Sequence, residues 1–338
     1  MNNILLNIGD LKNLNTYNAI DKPREDVNKT LKDIGYKIIN INIKFNSIRN
    51  ITKFFIELSK LSKILKRGDN IIMQYPFKGF GTKLMYYFSL LFNTYNITYL
   101  IHDIQSLGSK GKISKREVFI LNRAKKLLVH TNNMMEYLQS EGVISKMQVM
   151  WLFDYYGSNI SNDFNCAKEL IDHKSIIFAG NLDKSKFLKK IDASKIHYPI
   201  YLYGKEIDYK WPDVIRYSGK FNPNEISNLL GAWGLVWDGP DIENCTSNIG
   251  NYLRYNSSHK ASLYLAAGKP IIVWEESGLA PFVKENKIGI SIKSITDINT
   301  IFKKINKEEY QQLLINVKSL QQLILEGGFL RKLISENY

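Results

Sequence analysis

Leu229 to Trp274 reads LLGAWGLVWDGPDIENCTSNIGNYLRYNSSHKASLYLAAGKPIIVW, a pattern of strand, polar loop, short helix and strand. Gly234–Trp237 is a short apolar run of the kind buried in a parallel sheet, and Asp238-Gly239-Pro240-Asp241 ends it with a turn signal. Loops leaving the carboxyl ends of such strands are where open α/β sheets bind ligands. The helix that follows has a legible start and stop. Ser257 or Ser258 can cap it, Lys260 to Ala267 forms it, and Gly268 with Pro270 ends it. Arg254, Asn256, His259 and Lys260 mark its N-terminus, where unpaired N–H groups and the helix dipole favour an anion. Two cations beside that end point to a phosphate or pyrophosphate. A capped core helix with solvated basic residues would carry the same letters.

Working outward, the same cycle recurs along the chain. Apolar runs fall at Ile4–Leu6, Ile38–Ile43, Ile71–Gln74, Thr98–Ile101, Leu127–Val129 and Val149–Leu152. Helical windows lie between them at Pro23–Ile34, Ile51–Leu65, Gly79–Leu91, Ser114–Ala124 and Asn132–Ser140. The cycle restarts at Ile176–Phe178 and repeats at Ile200–Tyr203, Ile215–Tyr217, Leu235–Trp237 and Ile271–Trp274. Asn222-Pro223-Asn224-Glu225, with Asn as cap and Pro at the first helical position, predicts a helix before Leu235. Alternating strands and helices imply parallel sheets covered on both faces. The reading is therefore two doubly wound α/β domains in series, with Tyr155–Lys174 as linker, and facing domains of this kind create a ligand cleft.

Composition narrows the partners. The 338 residues are 44% hydrophobic, enough for two full cores. Cys166 and Cys245 lie far apart with no CxxC or Cys/His pattern, which suggests a reducing compartment and no zinc site. Met1–Asp10 lacks a basic start and a cleavage site, and Leu84–Leu100 is interrupted by Asn93, Asn96 and Thr98, so the expected location is cytoplasmic. A net charge of +14 favours anionic partners. No helix-turn-helix, RNP-like or zinc-finger signature accompanies it, so nucleic acid is not the expected partner. Gly79–Phe92, flanked by Lys78 and carrying Lys83, reads first as a core helix and second as a helix resting on a membrane.

Strand-end loops of the second domain hold a coherent set of groups. Ala179-Gly180-Asn181-Leu182-Asp183-Lys184 follows one strand, with Gly180 permitting close ligand approach and Lys184 offering charge to phosphate. Tyr203-Gly204 and Tyr217-Ser218-Gly219 follow the next two, and an aromatic beside a glycine can receive a flat base by stacking. Together these loops point to a nucleotide site. There is no GxxxxGK[ST] and no GxGxxG after the first strand, which argues against a P-loop NTPase or a dinucleotide enzyme.

The string DGPDIENCTSNIGNYLRYNSSHKASLYLAAGKPIIVW, with FAGNL at 178–182 and KPREDV at 22–27, resembles the bacterial GT-B glycosyltransferases that glucosylate O-linked N-acetylglucosamine on serine-rich repeat adhesins. It also resembles the related galactofuranosyltransferases of surface polysaccharide synthesis. The resemblance covers the whole chain. It implies a GT-B fold: an acceptor-binding Rossmann-like domain over 1–157, a nucleotide-sugar domain over 158–315, and a C-terminal helix over 316–338 that packs back on the first. It further implies a UDP-sugar donor, a glycosylated serine-rich protein or lipid-linked glycan acceptor, a homo-oligomer such as a tetramer, and no cofactor or metal. No DxD stands in the strand-end loops. Donor contacts are expected from Gly180, Asn181, Lys184, Tyr203, Tyr217, Gly219, Asn248, Arg254, Asn256, His259 and Lys260, with Thr16 reaching in from the loop Gly9–Lys22. An inverting transfer also needs a base. His102-Asp103 follows the strand Thr98–Ile101, and Asp103 is taken as base with His102 positioning hydroxyls or tuning it. The alternatives are a turn cap and a core histidine. At the level of the whole chain they are a galactofuranosyltransferase, an inactive nucleotide- or glycan-binding partner, and a basic membrane-surface module.

Overall fold

The computed structural model describes residues 2–11, 21–43, 56–57, 59–91, 95–157 and 173–336. The chain forms two compact units, Met1–Met150 with Leu330–Tyr338, and Trp151–Phe329. The division thus falls after Met150, and the tail that joins the first unit begins at Leu330. Most of the Tyr155–Lys174 segment read as linker lies outside the described residues.

The first unit is a parallel sheet of six strands in the order β2-β1-β3-β4-β5-β6. They are β1 (Asn3–Gly9), β2 (Lys37–Asn42), β3 (Asn70–Tyr75), β4 (Asn96–Ile101), β5 (Lys126–Val129) and β6 (Lys146–Val149). The central strands are buried on both faces, which is why they read as unbroken apolar runs. The helices are α1 (Lys22–Asp33), α2 (Thr82–Leu91), α3 (Gln105–Lys110), α4 (Lys115–Leu121) and α5 (Asn132–Ser140). Two histidines mark the end of β4. His102 follows it, and His130, buried after β5, donates from Nε2 to the Ile101 carbonyl at 2.8 Å. Burial pushes the His130 pKa down to about 4, so it is neutral near pH 7.

The second unit holds β7 (Ile176–Ala179), β8 (Ile200–Tyr203), β9 (Ile215–Tyr217), β10 (Trp233–Val236), β11 (Ile271–Trp274) and β12 (Gly289–Ile292). Their order is β12-β11-β10-β7-β8-β9, again parallel. Its helices are α6 (His259–Ala266), α7 (Ala280–Asn286), α8 (Asp297–Lys304) and α9 (Lys307–Leu325), and α10 (Gly328–Ser335) carries the chain into the segment that belongs with the first sheet. Strand order reverses between β1 and β3 in one sheet and between β7 and β10 in the other. Those are the points where doubly wound sheets open a crevice at their carboxyl edge.

Two expectations fail. Asn222–Glu225 is a turn, not a helix start: Asn222 Oδ1 accepts the Asn224 N–H at 3.0 Å and its amide donates to Glu225 at 2.9 Å. Asn closes an Asx turn as readily as it caps a helix, and here no helical residues follow. The run Val149–Leu152 is also displaced, because β6 ends at Val149 and Trp151 takes a positive φ of 63°. In the window Ile51–Leu65, residues 59–64 are helical and 51–55 lie outside the described residues.

Candidate active site

At the carboxyl edge of the second sheet, Ser258 caps α6 by accepting the Lys260 N–H, and Gly268 leaves the helix in the left-handed region at φ 74°. Tyr264 fixes the direction of this helix. Its fully buried hydroxyl accepts the Ala179 N–H at 2.8 Å, and its ring occupies the space that a side chain at Gly234 would take. The helix therefore starts at the β7/β10 switch point. There Lys260 Nζ lies 3.4 Å from both Asp238 oxygens and 5.4 Å from the Phe178 ring centroid. A Cβ at Gly180 would come within 3.0 Å of Lys260 Cε, so glycine at 180 leaves the lysine its room.

Arg254 closes the Gly250–Arg254 turn and is held on three sides. It pairs with Glu276, donates from Nε to Asn251 at 3.2 Å, and stands 4.7 Å over the Trp274 ring. Each contact on so exposed a group contributes about 1 kcal/mol or less, but together they orient the guanidinium. The Asn256 amide oxygen is buried and accepts no hydrogen bond among the described residues; Ser277 Oγ, in the loop after β11, is likewise buried without a partner.

The remaining strand-end residues divide. Gly180 N–H donates to the Tyr203 carbonyl at 2.9 Å and Gly204 N–H to Gly219 at 3.0 Å, which joins the three loops into one shelf. Gly219 has φ 82°, as its turn requires. Asn181 spends its oxygen on the Lys184 N–H at 3.0 Å, and Lys184 is exposed. Tyr217 is half-buried and donates its hydroxyl to Gly204 at 3.1 Å. Asn248 is exposed. Two further residues are engaged in packing. Tyr203 is buried, accepting the Leu230 N–H at 2.8 Å with Phe221 against it at 5.9 Å, so core packing takes the ring that stacking would need. His259 packs on Tyr155 at 5.0 Å and Phe153 at 5.9 Å. Thr16 lies outside the described residues.

In the first unit, His102 N–H donates to the Tyr75 carbonyl at 2.7 Å and its Nε2 meets Gln74 Oε1 at 2.7 Å. Gln74 is buried, and its Nε2 donates to Asn28 Oδ1 at 2.9 Å and Asn7 Oδ1 at 3.0 Å. That leaves Oε1 as the acceptor, so His102 donates to it from Nε2. Asn7 also donates to Asn28 and Asn40, each at 3.0 Å. Asp103 is exposed beside this network.

Glu117, which sequence reading passed over, holds the next turn. Its buried carboxylate accepts the Gln105 N–H at 3.0 Å, the Ser106 N–H at 2.9 Å, the Ser106 hydroxyl and the Tyr75 hydroxyl at 3.0 Å. It thereby caps α3, whose own N-cap residue Ile104 offers no side-chain hydrogen bond. Tyr75 is held well above the usual phenol range by burial and then by Glu117. Ser114-x-x-Glu117 reads as a capping box, and only half of it forms: Ser114 Oγ accepts the Glu117 N–H at 3.2 Å while the carboxylate turns to α3. Asp238, Glu276 and Gln74 were also missed, each being a partner distant in sequence from the residue it holds.

Among the described residues, no group of three or more His, Cys, Asp or Glu side chains is placed to hold a metal ion. No described helix is long and apolar enough to cross a membrane.

Both halves of the chain match one family: its N-terminal domain over residues 6–152 and its C-terminal domain over 176–337. The chain belongs to the glucosyltransferase 3-like family. Beta-1,6-galactofuranosyltransferase WbbI of Escherichia coli (strain K12) is 30% identical over 92% of this chain and 96% of its own length. Glucosyltransferase 3 of Streptococcus parasanguinis is 27% identical over 81% of this chain and 79% of its own. Among solved structures, sucrose-phosphate synthase from Thermosynechococcus elongatus superposes with a TM-score of 0.65 at 12% identity, covering 100% of this chain and 98% of that one. The two six-stranded parallel sheets with flanking helices are the GT-B glycosyltransferase fold.

Proposed function

We propose that this glucosyltransferase 3-like protein transfers a hexose, glucose first among them, from a UDP-sugar to a glycan acceptor such as O-linked N-acetylglucosamine on a serine-rich protein. The observation that carries the reading is Lys260, placed by the first turn of α6 opposite Gly180 at the β7/β10 switch point. In the transfer, an acceptor oxygen bonds to the anomeric carbon, the bond from that carbon to the β-phosphate oxygen breaks, and UDP departs with the electron pair. Charge accumulates on the β-phosphate as it leaves. Lys260, Arg254 and the N–H groups at the start of α6 are suited to meet that charge, which is the role a divalent metal plays elsewhere.

In an inverting displacement the acceptor proton passes to Asp103, which is exposed, while His102 is committed to Gln74 and orients sugar hydroxyls. Residence in the cytoplasm and assembly as a homo-oligomer belong to the same reading. Galactofuranosyl transfer is the second reading, favoured by the 30% identity to WbbI along nearly the whole chain. A panel of nucleotide sugars incubated without acceptor tests both. Slow UDP release from UDP-glucose alone supports the first, release from UDP-galactofuranose alone supports the second, and release from no sugar in the panel contradicts the assignment as a transferase. Excess EDTA should leave the rate nearly intact, and a large loss restored by Mn²⁺ would contradict the metal-free mechanism.

A further inference from the structure

Helix α2 of the first unit has two faces. Met85, Phe88 and Ser89 are buried, whereas Lys83, Tyr87 and Leu90 share an exposed stripe at positions i, i+4 and i+7, with Tyr87 57% and Leu90 42% exposed. The expectation of a core helix describes only the first face. On the other, aromatic packing continues into α4: the Tyr86 ring lies 5.6 Å from Tyr87 and 4.7 Å from Phe119, and Arg123 stands 5.5 Å over Phe119.

The charge along this part of the chain is predominantly positive, with Asp103 its one exposed carboxylate. From Thr82 to Arg123 the cations are Lys83, Lys110, Lys112, Lys115, Arg116 and Arg123, against Asp103 and Glu117 alone. Glu117 is fully buried and hydrogen-bonded, so it offers no exposed countercharge. Exposed tyrosine and leucine beside dispersed lysines and arginines is the composition of a helix that lies at an anionic lipid surface, where apolar tips enter the headgroup layer and cations meet phosphates.

We propose that the outer face of α2 and α4 docks the protein on an anionic membrane. An acidic protein is the other anionic surface of similar charge. The lipid is favoured because flexible lysines spread over three segments need no fixed register, and aromatic and aliphatic tips gain by insertion into the interface. This face is separate from the donor chemistry, since neither the stripe residues nor these cations belong to the site assigned above.

Co-sedimentation of the full chain with vesicles tests it. Binding is expected to equimolar phosphatidylcholine–phosphatidylglycerol vesicles, not to phosphatidylcholine alone, and to weaken as salt rises. Tyr87→Ser/Leu90→Ser and Lys115→Glu/Arg116→Glu should each lower partitioning roughly tenfold or more, with melting temperature and donor hydrolysis unchanged. Equal binding to both vesicle types, no binding to either, or undiminished binding by both variants would overturn the proposal. So would capture by soluble polyglutamate, dependent on Lys115 and Arg116, in a protein that ignores the vesicles. Donor hydrolysis read on the same samples keeps failure of the membrane proposal distinct from failure of the transferase assignment.

Discussion

The two sheets reverse strand order at equivalent topological points and furnish them with different chemistry. At the β1/β3 switch a network of neutral amides is buried, Asn7 and Gln74 linked to Asn28, Asn40 and His102, and the cations beside it are committed, Arg24 to the Gln74 carbonyl at 3.3 Å and Lys78 to Asp21 at 2.6 Å. At the β7/β10 switch they are a glycine that leaves space, an aromatic ring and a lysine paired with Asp238. A rigid array of donors and acceptors suits hydroxyl groups, and an open backbone with a cation suits phosphate. The fold supplies the position, and a few side chains decide what is held there.

The comparison breaks first at Asp103. Replacing it with Asn keeps shape and removes the basic oxygen, so turnover should fall by roughly 10²–10⁴-fold with UDP affinity close to wild type. Single-turnover kinetics beside calorimetric UDP titration would read both quantities. Near-normal turnover would move proton transfer elsewhere, with His102 the next residue to replace.

A smaller effect separates the first sheet from the second by pH. His130 folds with its pKa lowered by burial from 6.5 to about 4. Between those values the unfolded chain binds the proton and the native state does not, so this stabilisation is complete above about pH 6.5 and lost as pH falls toward 4, up to roughly 3 kcal/mol. Denaturant titrations of wild type and His130→Gln at pH 7 and pH 5 should show the steeper loss in wild type. Equal losses would mean that His130 is not held neutral.

Sequence reading reached the architecture because each buried strand stands as an apolar run between helical windows; Ile200–Tyr203, Ile215–Tyr217 and Ile271–Trp274 were found at their observed bounds. It missed β12, whose half-exposed Gly289–Ile292 at the sheet edge carries a weak apolar signal. It placed a helix at Asn222 because cap and Asx turn use the same residues. In the site, Lys260 and Arg254 were visible as cations next to a capped helix. What holds them was not. Asp238 is close to Lys260 only after β10 and α6 pack, Glu276 meets Arg254 from the loop after β11, and Gln74 reaches His102 across neighbouring strands. Such partners are set by sheet register, which no local pattern encodes.

The division of labour between the two sheets is tested most directly by UDP titration of three proteins: wild type, Lys260→Ala and Asp103→Asn. Loss of a charge-assisted contact at phosphate is worth about 1.5–3 kcal/mol, so Lys260→Ala should weaken UDP by roughly ten- to a hundredfold and shrink the UDP-induced rise in melting temperature. Asp103→Asn should leave both unchanged. Wild-type UDP affinity in Lys260→Ala, or an equal loss in both variants, would contradict a donor site built on the second sheet alone.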